Sequence, residues 1–308
     1  MAENPINPIN PINPINPINP TCPADPLLAT LLVSCTDKRG IVAGLAQTLS
    51  GHGANILDSD QHTDRLESQF FQRIRFDVSD INTDRLTLER AIREVAQRFE
   101  MSYRLEFNDR KKRVALFVSK YDHCLHDLLL RHRAGELDCE VALIVSNHGD
   151  LRAVAEQYQV PFAEFQMTPG TRQQQEQAEL RLLREQRIDL VVLARYMQIL
   201  SDAFIGEWPH RIINIHHSFL PAFVGGKPYH QAKERGVKLI GATAHYATAA
   251  LDEGPIIEQD VVRCSHKDSI EDLVRKGRDL EKVVLARAVR WHIEDRVLTY
   301  RNKTVVFD

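Results

Sequence analysis

The chain has 308 residues, 43% hydrophobic and 26% charged, which is enough apolar material for about two globular domains, each with its own core. A formal net charge of -3 argues against a nucleic-acid-coating surface, and no apolar run approaches the roughly 18–20 residues that span a bilayer. The five cysteines (Cys22, Cys35, Cys124, Cys139, Cys264) form no CxxC pair and no zinc spacing, so they read as reduced thiols of a cytoplasmic protein. The N-terminus lacks the basic-then-apolar pattern of a secretory signal. Residues 4–20 instead repeat Asn-Pro-Ile. Proline at every third position removes backbone donors and biases each preceding Asn toward extended backbone. Residues 1–25 are therefore expected to be a disordered tail, with a Pro-rich docking ligand as the alternative.

Leu27 to Ser34 is a dense apolar strand. Asp37 is placed to cap the following helix, with Gly40 at its entry, and Ile41, Val42, Leu45, Ala46 and Leu49 recur at helical spacing. Gly51 and Gly53 end it, and Asn55, Ile56 and Leu57 open a second strand. "FFQRIRFDV" (70–78) reads as a third strand, although its alternation is imperfect. Leu88, Ile92, Val95 and Phe99 mark a second amphipathic helix, and "SYRLEF" (102–107) a fourth strand. The order β-α-β-β-α-β over residues 26–108 is the ferredoxin-like split βαβ arrangement. With "DKRGIVAGLAQTLSGHGANI", it resembles an ACT domain. That resemblance implies an amino-acid effector site at Asp37, Gly40, Asn55 and Ile56, and association into a homo-oligomer through sheet edges. The alternative is that Gly40 and Asn55 serve backbone geometry alone.

"NDRKKR" (108–113) contains the expected linker, 109–113. From residue 114 the grammar changes to "VALFVS", a helix over "DHCLHDLLLRHRAG", "EVALIVS", a helix at 150–158, "VPFAEF", a helix over "TRQQQEQAELRLLREQR", and "DLVVLA". Strands alternating with helices imply an α/β, doubly wound, mostly parallel sheet over 114–308. Ligands of such sheets sit at the carboxyl ends of the strands. Two stretches leave the sheet with unusual chemistry, "ARYMQIL" (194–200) and "NIHHSFLP" (214–221).

If "RIINI" is a strand, Asn214 and His216 share a face, and His217 falls on the opposite one and is not expected to act with His216 directly. A metal would need further ligands. His230 and His245 are candidates, but no HxxE or HxxxH spacing supports one. Asp252, in the loop before Gly254-Pro255, is placed to reach back toward His216. Asn, His and Asp make sense together for acyl transfer. The amide donates to a developing oxyanion, the imidazole moves protons near neutral pH, and the carboxylate orients the imidazole or a water. GxSxG is absent, so no serine elbow supplies a nucleophile.

"NIHHSFLPAF", "GVKLIGATAHY" and "LDEGPIIEQ" together resemble the formyltetrahydrofolate-dependent formyltransferase family. The resemblance implies that Asn214 holds the formyl oxygen, His216 polarises it and shuttles protons, and Asp252 orders a water and tunes His216. It also implies that Arg195, Met197, Gln198, Ile199 and Leu200 line the pterin pocket. Members that formylate a ribonucleotide hold its phosphate in a glycine-rich turn after the domain's first strand. Here that turn is "SKYDHCLHDLL", without glycine and with Asp122 and Asp127 to repel a phosphate. The upstream ACT-like domain, "DHCLHDLL" and the second His of "NIHHSFLP" resemble the branch that transfers the formyl group to water. Gly226 departs from the small residue, such as Ala, expected there. The branch implies hydrolysis of 10-formyltetrahydrofolate to formate and tetrahydrofolate, balancing one-carbon pools and supplying formate for purine synthesis. The folate is then substrate, with no separate cofactor, no metal, no nucleic-acid partner and no membrane. The alternatives are transfer to an amine acceptor, or a sensor built on an inactive enzyme; the second fits poorly with an intact Asn214, His216 and Asp252.

Overall fold

The computed structural model describes residues 27–168, 170–221 and 228–308; the Asn-Pro-Ile repeat and Gly226 lie outside them. The N-terminal unit runs β1 (Leu28–Thr36), α1 (Ile41–Gly51), β2 (Asn55–Asp64), β3 (Gln69–Asp77), α2 (Arg85–Phe99) and β4 (Ser102–Phe107). Its antiparallel sheet has the order β2-β3-β1-β4. Leu31, Val33, Ile74 and Phe76 join Ile41, Leu45, Leu88 and Ile92 of the helices in one core. Gly40, at φ 92°, begins α1 without a side-chain cap. Asp37 does not cap it as expected; its backbone N–H instead donates to the Ser68 carbonyl. Asp84 does cap α2, accepting from Thr87 N at 2.9 Å.

The other face of this sheet is also covered. Leu32 and Phe71 pack against Leu298 and Phe307 of a C-terminal hairpin. This explains why β1 reads as unbroken apolar sequence and why β3 alternates poorly, since both faces of these central strands are buried. Arg73 of β3 is 3% exposed. Its Nε donates to the Asp295 carbonyl (2.9 Å), Nη2 to the Glu294 carbonyl (3.2 Å) and Nη1 to the Asp58 carboxylate (2.8 Å). Charged hydrogen bonds contribute about 1.5–3 kcal/mol each, and Arg73→Met strips two part-buried carbonyls of their donor at once. We expect calorimetry to show a Tm lowered by about 5 °C or more, with an unchanged Tm refuting this account of the joint.

The charged stretch between the units is not free in solvent. Asp109 pairs with Arg85, Arg110 with Asp189, Lys111 with Asp138, and Arg113 with Glu140. The first strand of the second unit, β5 (Lys112–Val118), already includes the last two residues of the expected 109–113 linker. There follow α3 (His123–Arg133), β6 (Cys139–Ser146), α4 (Arg152–Gln157), β7 (Phe162–Glu164), α5 (Arg172–Glu185), β8 (Leu190–Leu193), α6 (Asp202–Glu207), β9 (Ile212–His216), α7 (Pro228–Arg235), β10 (Leu239–Tyr246), β11 (Ile256–Arg263), α8 (Ile270–Ile293), and the hairpin β12 (Val297–Tyr300) and β13 (Lys303–Val306).

The seven-stranded sheet has the order β11-β10-β9-β8-β5-β6-β7, parallel from β9 to β7 and antiparallel at β10 and β11. Leu190 and Val192 enter the core under α3 and α8, while Val191 and Leu193 enter the one under α5 and α6, so β8 has no polar face. The chain leaves β5 toward β6 and β7 and then returns to β8 and β9 on the other side, which opens a crevice at the carboxyl ends of β5, β8 and β9. The described cysteines, Cys35, Cys124, Cys139 and Cys264, are free and buried. No described helix is long and apolar enough to cross a membrane.

Candidate active site

β9 delivers Asn214 and His216 to one face because Ile213 and Ile215 alternate with them into the core beneath. β10 lies antiparallel beside β9 and sets His245 directly opposite Asn214. The loop between β10 and β11 returns to the same point. Asp252 there has a left-handed backbone, φ 57°. Gly254 lets the loop close, since a Cβ at that position would lie 1.8 Å from the Tyr246 carbonyl oxygen.

His216 Nδ1 lies 3.2 Å from Asp252 Oδ2. A carboxylate only accepts, so Nδ1 carries the hydrogen and Nε2 of the neutral ring keeps a lone pair. That Nε2 is buried and has no hydrogen-bond partner among the described residues. An orphaned buried polar atom costs about 1–3 kcal/mol, so Nε2 is an acceptor open to a water or a ligand atom. His245 Nδ1 donates to the Tyr246 carbonyl at 3.0 Å, which leaves its Nε2 to accept from Asn214 Nδ2 at 3.2 Å. This contact fixes the orientation of the Asn214 amide and leaves its second N–H for a ligand. Asp252 also reaches His245, Oδ1 to Nε2 at 3.6 Å. The hydrogen bond from His216, and after it the neighbouring His245 imidazole, outweigh burial and hold the Asp252 carboxyl well below the usual carboxylate range.

The sequence alone offers His245 only as a candidate metal ligand. Its signal was available: a histidine ending an apolar strand that precedes the Asp252 loop. His217 also departs from expectation. β9 ends at His216, the chain turns, and the two rings meet edge-on with centroids 5.1 Å apart. Burial, then the Arg195 and His216 charges, lower the His217 pKa to about 4.

The 195–200 segment does not present its residues alike. Ser119 Oγ accepts from Met197 N at 2.9 Å, and Tyr196 donates to Glu179 at 3.1 Å. Burial pushes the Glu179 carboxyl up to about 8, so it is mainly protonated at neutral pH. These anchors leave Met197 56% and Ile199 59% exposed at the crevice, apolar surface that an aromatic ligand would cover. Gln198 is half-buried beside them. Leu200 points into the core with Phe204 and Trp208. Arg195, at φ 65°, turns its guanidinium inward toward Glu281. Asp127, expected to repel a phosphate, is paired with Arg131 at 2.7 Å. In the first unit, Asp37, Gly40 and Asn55 are exposed and Ile56 is half-buried against the core.

The chain matches the formyl transferase family model over residues 112–289 and the ACT domain model over residues 29–100, which makes it a formyl-transferase-type enzyme carrying an ACT domain. It is 55% identical to a formyltetrahydrofolate deformylase of Synechocystis, over 91% of this chain and 99% of the relative, and 50% identical to one of Bacillus subtilis, over 90% and 93%. The crystal structure of a formyltetrahydrofolate deformylase from Pseudomonas syringae superimposes with a TM-score of 0.89 at 48% identity, covering 92% of this chain and 96% of that one. The chain belongs to the formyltetrahydrofolate deformylase family.

Proposed function

We propose that the chain hydrolyses 10-formyltetrahydrofolate to formate and tetrahydrofolate, with Asn214, His216 and Asp252 as its catalytic residues. The unpartnered His216 Nε2, set by the Asp252 contact at Nδ1, carries this reading. A water attacks the formyl carbon, and His216 Nε2 takes a proton from it as the O–C bond forms. The negative charge developing on the formyl oxygen accepts the free Asn214 N–H. Collapse of the tetrahedral intermediate breaks the C–N10 bond. His216 Nε2 returns the proton to N10, and formic acid leaves and ionises. Asp252 stabilises the transient His216 cation. Met197 and Ile199 support a pterin at the crevice mouth, with Gln198 beside them. The folate is the substrate, and the chemistry needs no cofactor and no metal.

The first unit takes an amino-acid effector at the mouth formed by Asp37, Gly40, Asn55 and Ile56. The outer edges of β2 and β4, which pair with no other strand among the described residues, are the surfaces through which the protein forms a homo-oligomer. The enzyme works in the cytoplasm, returning formate to purine synthesis and balancing one-carbon pools. Purified protein incubated with 10-formyltetrahydrofolate and no other acceptor is expected to release formate and tetrahydrofolate in equal amounts. Release that requires an added amine, with the formyl group recovered on it, refutes hydrolysis in favour of transfer.

A further inference from the structure

Next to His216 and His217 lies a second buried cluster that the mechanism above does not use. Glu281, in the middle of α8, is 1% exposed. Its Oε2 accepts from His123 Nε2 at 2.8 Å, its Oε1 accepts from the Tyr229 hydroxyl at 3.0 Å, and Arg195 Nε lies 3.6 Å from Oε2. α8 is notched to admit this arrangement. A Cβ on Gly277, one turn earlier, would lie 2.0 Å from the Tyr229 oxygen. One carboxylate thus gathers the start of α3, the exit of β8, α7 and α8. Burial alone raises the Glu281 carboxyl, but the His123 hydrogen bond and the Arg195 and His123 charges outweigh it and leave it lowered, hence ionised. Tyr229 in turn meets the His217 ring at 6.3 Å, and His217 meets His216 at 5.1 Å.

The donor atoms of His123, Cys124 and Glu281 lie within 4.8 Å of one another, a grouping small enough for a metal ion. The chemistry opposes one. The carboxylate is already hydrogen-bonded on both oxygens and balanced by Arg195, whose fixed charge repels a cation, and burial drives the Cys124 thiol well above its ordinary pKa and away from the thiolate a metal needs.

We infer that Glu281 is a positioning residue for the hydrolysis proposed above, on which this inference rests: through Arg195 it holds the start of the folate segment, and through Tyr229 it holds His217 against the back of His216. The role predicts an effect on turnover rather than on folate affinity. In the full-length Glu281→Gln variant, the ring carbon and proton resonances of His216 and His217, measured by NMR at one fixed pH, move relative to wild type. They stay in place in the exposed control Glu185→Gln. The kcat for formate release falls by about tenfold or more, while KM stays within about twofold. Should Glu281→Gln fail to fold, Tyr229→Phe removes a single hydrogen bond and keeps the ring in the Gly277 notch; it is expected to shift the same resonances by less and to lower kcat by less. Unmoved resonances in a folded variant, or a kcat within twofold of wild type, overturn the inference. A wild type that releases no formate refutes the hydrolytic reading instead, and the ring resonances then decide the role of Glu281 alone.

Discussion

Asp252→Asn lowers kcat for formate release by about 10²–10⁴-fold in a protein that still folds, the range spanned by loss of a positioned acid–base partner. The substitution preserves shape and removes charge. Asp252 lies 3.2 Å from His216 Nδ1 and 3.6 Å from His245 Nε2, so one carboxylate serves both rings. An amide no longer stabilises the His216 cation that forms when water gives up its proton. If the amide turns its NH2 toward Nδ1, it also forces the proton onto Nε2, the atom that has to be free. Steady-state kinetics on the variant check this, and full turnover refutes the role given to Asp252. Stability changes with a defined sign. The folded pKa of Asp252 is depressed, so its contribution is fully present above the unfolded carboxylate value of ~3.9 and is lost as pH falls through the depressed folded value. The melting difference between wild type and Asp252→Asn is therefore expected at pH 7 and shrinks in strong acid.

Asn214→Ala removes the amide proposed above to hold the formyl oxygen, and is expected to cost about 10²–10³-fold in kcat with a smaller change in KM. Affinity is largely spared because the donor acts most on the charge that develops in the transition state. His245 supplies a second test. Its Nε2 orients the amide at 3.2 Å, so His245→Ala loses part of the same effect. The double variant then falls short of the product of the two single losses, because an amide already absent cannot be misaligned. Multiplicative losses show that His245 acts independently of Asn214.

The two-unit architecture was legible because its signals are local. Helical spacing of Ile41, Leu45 and Leu49 and the unbroken run at Leu190–Leu193 follow from which faces are buried. The imperfect alternation of β3 was not decodable in the same way. Its cause is the hairpin carrying Leu298 and Phe307, more than 200 residues along the chain. Helix capping shows the same limit. Asp84 caps α2 as local chemistry dictates, whereas in the turn before α1 the Asp37 N–H donates to the Ser68 carbonyl at the start of the neighbouring strand.

By itself the sequence determined most elements as far as β9 and the order of the units, and it placed Asn214 and His216 on one strand face, because alternation along a strand follows from short-range geometry. Only the tertiary structure decided what those residues meet. Cross-strand register put His245 opposite Asn214, the Gly254 approach to Tyr246 closed Asp252 onto two histidines, and the end of β9 turned His217 back to His216. Arg195 turns inward because Glu281, on a helix near the far end of the chain, holds a buried carboxylate that requires a charged partner. Such pairings depend on packing and desolvation between distant segments, which no spacing along the chain encodes.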